Sequence, residues 1–153
     1  MIPSTVDRVP LNTVPLINNR IHESTVERVA HYAASDPAII DRRLRELDEE
    51  WDIERTLEAN AASVAVVGLS LGATLNRRWL FVPAAVAAFL FQHAIQGWCP
   101  PLPLFRRLGF RTASEIDTER YALKFIRGDF RHLSESFDDA SEMARQTLDA
   151  MQR

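Results

Sequence analysis

From Ala59 to Asn76 the chain has no charged residue, and from Trp79 to Phe105 it has none again, with His93 taken as neutral. Only Arg77 and Arg78 interrupt the two stretches. Other absences narrow the reading further. A single cysteine, Cys99, excludes an intrachain disulfide and any cysteine-based zinc site. The four histidines (His22, His31, His93, His132) are too scattered for a metal site by spacing. The first residues, MIPSTVDRVPLNTVPLINN, hold no apolar run of signal-peptide length. A net charge of −3 without a basic stripe argues against nucleic acid as a partner. No catalytic or nucleotide-binding constellation stands out, so no enzyme activity and no cofactor are expected.

Two charge-free stretches joined by a two-arginine turn read as a transmembrane helical hairpin over residues 59–105, with spans at about 59–76 and 79–98. Mean hydropathy over the whole chain is −0.15, because the hairpin is under a third of the length and its flanks are polar. The second span is bracketed by Trp79 and Trp98, which at about 1.5 Å per residue sit roughly 29 Å apart, near the ~30 Å of the hydrocarbon layer. Tryptophans suit both interfaces. With Arg77, Arg78, Arg106 and Arg107 they are the expected interface anchors. Pro83 falls in the first turn of the second span, where its missing N–H costs little. The first span is rich in small residues: Ala61, Ala65, Gly68 and Gly72 follow a 4-3-4 spacing and line one face. Such faces let helix backbones approach closely in lipid. Ala84, Ala87 and Ala88 offer a comparable surface on the second span, so packing is expected through Ala61, Ala65, Gly68, Gly72, Ala84 and Ala88, within one hairpin or between chains.

Basic residues near the hairpin set the expected orientation. Arg42, Arg43, Arg45 and Arg55 precede it, Arg106, Arg107, Arg111, Arg120 and Lys124 follow it, and only two arginines lie in the turn. The positive-inside tendency then puts both termini in the cytoplasm. Residues 1–23 carry Pro3, Pro10 and Pro15 and read as an extended arm. Residues 24–58 read as cytoplasmic helices: Ser24-Thr25-Val26-Glu27 is a capping-box pattern, and Asp36-Pro37 starts a second helix. Ile40, Leu44, Leu47 and Trp51 form a narrow stripe that needs a partner, because it is under two heptads long. Acidic residues from Asp48 to Glu58 read as a solvated face.

Beyond the hairpin, Pro100, Pro101 and Pro103 end the second span. Residues 106–153 read as interfacial and cytoplasmic helices. Thr112-Ala-Ser-Glu115 caps a helix that ends at Gly128. Ile116, Tyr121, Ala122, Leu123, Phe125 and Ile126 share its broad apolar face, which Glu115 and Glu119 interrupt. Residues 134–152 read as a last amphipathic helix, with Phe137, Ala140, Ala144, Leu148 and Met151 roughly on one side. The fold class expected is all-α: a transmembrane hairpin flanked by cytoplasmic amphipathic helices.

The paired spans, the exit Gly97-Trp98-Cys99-Pro100, the entry WDIERTLEANAA and the segment ERYALKFIRGDF resemble the YgaP-like inner-membrane domain, a small two-helix module. The likeness runs from about Glu54 to Leu108. It implies a membrane hairpin in a bacterial inner membrane and a tendency to associate. The namesake's sulfurtransferase activity belongs to a rhodanese domain that this sequence lacks, so it does not carry over. The expected function is an accessory or scaffold subunit in contact with membrane lipid, as a homo-oligomer or within a larger complex. Two alternatives rest on single residues: a sulfur relay through the candidate thiol Cys99, and haem or chlorin binding through the candidate ligand His93. The plain reading of His93 is a hydrogen bond across the hairpin to Ser63, Ser70 or Thr74.

Overall fold

The computed structural model describes residues 3–131 and 140–152. Among them every regular element is helical: α1 (Arg8–Leu11), α2 (Pro15–Ala33), α3 (Pro37–Glu49), α4 (Ile53–Thr74), a 3₁₀ turn (Arg77–Leu80), α5 (Phe81–Gln96), α6 (Leu102–Arg107), α7 (Ala113–Arg127) and α8 (Ala140–Gln152). They form two compact units, residues 1–22 with 51–114 and residues 23–50 with 115–153.

The first unit is built on α4 and α5. Asp52 starts α4, its carboxylate accepting the Arg55 backbone N–H at 2.7 Å. The helix then runs unbroken through Asn60, and at 22 residues it is about 33 Å long. It does not continue from α3, because Glu50 is extended. Asn76 shapes the turn by accepting the Arg78 N–H at 2.9 Å. The 3₁₀ turn and α5 together make a 20-residue apolar segment. Both segments are long and apolar enough to cross a membrane.

These two helices pack through a small-residue seam, but on one side only. Gly68 lies against Val82 and the Pro83 ring, and Gly72 against Leu80. Ala61 is buried and Ala65 half-buried. Ala84 and Ala88, expected in the contact, are exposed instead. The reason is rotational: the face of α5 turned to α4 is set by Leu80, Val82 and Pro83 at its start, and Ala84 and Ala88 fall on another side. A Cβ on Gly68 would stand 2.8 Å from Pro83 Cδ and 3.0 Å from Val82 Cβ, both stiff neighbours. Gly68→Ile is therefore expected to cost about 1–3 kcal/mol by overpacking, read as a lower thermal midpoint in detergent. An unchanged midpoint would show that the seam is loose.

Residues 1–23 are not an extended arm. They hold α1 and the first nine residues of α2. Pro10 sits within the single turn of α1, and Pro15 opens α2, where proline is pre-set for helix. Helix α2 passes straight through Ser24–Glu27, so the capping-box pattern there is interior, with Ile17, Ile21 and Thr25 buried at a spacing of four. In the first unit Val9, Ile53, Leu57, Cys99 and Leu102 form the core, with Phe105 and Phe110 against it.

In the second unit Asp36 caps α3 through the Ala38 N–H at 2.9 Å. Ile40, Leu44 and Leu47 pack with Ile116 and Leu123, and with Tyr32 and Ile126 beside them. Trp51 is not part of this stripe. It lies beyond the end of α3, is 46% exposed and carries the Arg55 guanidinium 4.3 Å over its ring. Glu119, which breaks the apolar pattern of α7, is fully buried and takes Arg28 Nε at 2.9 Å and Arg43 Nε at 2.8 Å. Tyr121 and Phe125 are exposed. In α8 Ala150 is buried, while Leu148 and Met151 are exposed; Phe137 lies outside the described residues. Lys124 is buried and donates to the Met151 carbonyl at 2.6 Å. Burial, with Arg120 beside it, holds its ammonium below the usual lysine range.

Candidate functional site

The end of α5 is where the first unit gathers its polar side chains. A helix leaves its last carbonyls without partners. Here α1 supplies the donors: Arg8 Nη1 reaches the Ala94 carbonyl at 2.9 Å, and Asn12 Nδ2 reaches the Gln96 carbonyl at 2.7 Å. Gly97 makes this approach possible. It ends α5 at φ +78°, and a side chain there would collide with the Arg8 carbonyl.

Arg8 continues inward. Its Nη2 meets Glu54 Oε1 at 3.0 Å, and the other carboxylate oxygen lies 2.8 Å from His93 Nε2. His93 is 4% exposed. An ionised carboxylate only accepts, so Nε2 carries the hydrogen in this pair. The other nitrogen, Nδ1, is buried and makes no hydrogen bond of good geometry. The Cys99 thiol interacts with the same ring, and Cys99 is itself 4% exposed. The chain thus places thiol, imidazole, carboxylate and guanidinium in a row, from the loop after α5, from α5, from the first turn of α4 and from α1.

Cys99 also borders an apolar crevice of about 410 Å³ between α4 and α5. Leu57, Ala61 and Val64 line one wall, Val86, Phe89 and Leu90 the other. Asn60 is the amide-bearing side chain among the described lining residues.

The expected partners of His93 are engaged elsewhere. Ser63, Ser70 and Thr74 each donate to the carbonyl four residues earlier in α4. Glu54 was the missed partner, because it is one of six acidic residues from Asp48 to Glu58 that read as one solvated face. Counting equal lengths from the Arg77-Arg78 turn sets His93 opposite Ala62. Glu58 and Glu54 are then the first carboxylates about one and two turns below, which is the signal that could have found it. A haem or chlorin does not fit His93 as placed: Nε2 holds Glu54 and Nδ1 faces the protein interior.

Among the expected anchors, Trp79, Trp98, Arg77, Arg78 and Arg107 are exposed. Arg106 is not at a surface. It is 1% exposed and donates to Thr13 Oγ1 at 3.2 Å, the Phe110 carbonyl at 3.0 Å and Asn18 Oδ1 at 2.9 Å. It ties α6 to the N-terminal helices as a structural cation. No group of three or more His, Cys, Asp or Glu side chains among the described residues is arranged to hold a metal ion. The chain matches no protein-family model, no curated protein and no solved structure.

Proposed function

We propose that this chain is a non-enzymatic integral membrane protein, both termini in the cytoplasm, acting as an accessory or scaffold subunit that associates with itself or joins a larger membrane complex. The observation that carries the reading is where the apolar residues point. Only 22% and 6% of the most apolar windows of the two candidate spans are buried within the protein. Val66, Leu69, Phe81 and Phe91 are all more than half exposed. A core helix of a water-soluble domain hides such side chains, whereas lipid takes them without cost. Trp79 and Trp98, exposed near the two ends of the second segment, suit the headgroup levels. The resemblance to the YgaP-like inner-membrane module agrees with a bacterial inner membrane.

Association has a surface available. Gly68 and Gly72 are used inside the hairpin, while Ala84 and Ala88 stay outward on α5. Small residues one turn apart let a second helix come close in lipid. The test is purification from native membranes in mild detergent, with the mass and composition of the particle measured. Several copies of this chain, or fixed amounts of other subunits, are the expected outcomes. A monomer free of partners would sink the proposal. A sulfur relay is less well supported, because the apolar crevice beside Cys99 offers a persulfide donor little polar contact.

A further inference from the structure

The one thiol of the chain lines part of the crevice between α4 and α5, and it interacts with the buried His93 imidazole, whose Nδ1 makes no hydrogen bond of good geometry. A structural cysteine at a helix end needs neither. We propose that Cys99 is an S-acylation site: it takes a long-chain acyl group from an acyl thioester, and the chain lies in the crevice.

The chemistry needs only what the row of side chains offers. Nε2 is committed to Glu54, so Nδ1 is the ring nitrogen left for the thiol, and a thiol proton held there leaves the sulfur as thiolate. The thiolate is the nucleophile. It attacks the carbonyl carbon of the acyl thioester, the bond from that carbon to the donor sulfur breaks, and the leaving thiolate recovers the proton from the imidazolium. One thioester is exchanged for another, with no change in oxidation state. Glu54, held by Arg8, stabilises the imidazolium and fixes the ring, so it is a positioning residue; His93 touches the reacting thiol. Asn60 offers an amide N–H to the thioester carbonyl.

The occupant follows from the walls. They are alkyl and aromatic, and the volume of about 410 Å³ falls in the range of small-ligand pockets. A hydrophilic thiol reagent gains nothing there, whereas an alkyl chain buries its methylenes along the walls. A chain so held would stay with the protein and add to its grip on lipid.

The experiment uses the full-length protein in detergent, incubated with palmitoyl-CoA and followed by intact mass and by reversal with hydroxylamine. One hydroxylamine-sensitive acyl group per chain is expected, and none on Cys99→Ser. His93→Gln is expected to slow acylation by about 10²-fold, the usual contribution of a positioned base. Glu54→Gln should slow it less, and Glu54→Asp should restore part of that loss, which a purely structural role would not do. Val86→Trp, which fills the crevice, should slow palmitoyl transfer while leaving acetyl transfer from acetyl-CoA in place. No adduct on the wild type overturns the proposal, whether or not a small alkylating reagent reaches Cys99. So does transfer at the wild-type rate in His93→Gln, or a persulfide on Cys99 from a sulfane donor with no acyl adduct. None of these results bears on the particle mass that tests the scaffold reading.

Discussion

Glu119→Ala is expected to destabilise the second unit by about 3–5 kcal/mol, the loss typical when one partner of a buried ion pair is removed. Glu119 is fully buried, and its two oxygens hold Arg28 and Arg43 from α2 and α3. Without it, two guanidiniums face each other across a space with no carboxylate. Arg43 keeps Glu46 at 3.1 Å and a longer contact to Glu50 at 3.8 Å, and Arg28 keeps the Thr25 hydroxyl at 2.9 Å. Neither replaces a carboxylate shared between them. Glu119→Gln retains the shape and part of the hydrogen bonding, so it should fall between wild type and alanine. The measurement is thermal melting of the helical circular dichroism signal in detergent. A Glu119→Ala midpoint equal to the wild type would mean that the cluster is solvated and that the apolar residues of the unit hold it alone.

The other large effect is at Gly97. Gly97→Ala is expected to cost about 2–5 kcal/mol, combining ~1–2 for a left-handed backbone with a Cβ and ~1–3 for overpacking. The new methyl would run into the Arg8 carbonyl and its side-chain Cβ, so α1 must move off the end of α5. Gly109 supplies the control. Its φ is +93°, yet a Cβ there meets nothing within 4 Å, so Gly109→Ala should lose only the backbone part, about 1–2 kcal/mol. Tryptic cleavage at Arg8 should accelerate in Gly97→Ala and stay unchanged in Gly109→Ala. Equal losses and equal cleavage in the two variants would show that the contact of α1 with Gly97 yields without cost.

The pattern of what the sequence shows and hides has physical reasons. The hairpin is legible because two charge-free stretches of span length are rare, and the start of α3 because Asp36-Pro37 carries its own capping chemistry. Gly128 ends α7 as expected, at φ +94°. The N-terminal segment was not legible. Three prolines and several Asn and Thr residues argue against helix locally, yet Pro10 and Pro15 fall in first turns, and the burial of Val9, Ile17 and Ile21 decides the outcome. Burial of this kind comes from residues far away in sequence. The same holds for the site. Cys99 and His93 stood out by type, but Glu54 looked like one acid among six, and Arg8 looked like part of a loose arm. Arg106 was misplaced for a related reason. Beside a span an arginine reads as a lipid anchor, and only the fold shows Thr13, Asn18 and the Phe110 carbonyl among its acceptors.

The order of synthesis gives the contact of Arg8 with α5 a further consequence. Arg8 is made well before its acceptor on Ala94, which lies 86 positions later. The clasp therefore cannot close until α5 has been made, and it closes across the whole hairpin. Until then Glu54 has no guanidinium, and α5 has bare carbonyls at its end. Under the membrane reading proposed above, the completed clasp requires residues 8 and 94 to emerge on the same side, so a chain inserted with only one span could not form it. Under that reading, a closed α1 marks a chain in which both spans have gone in.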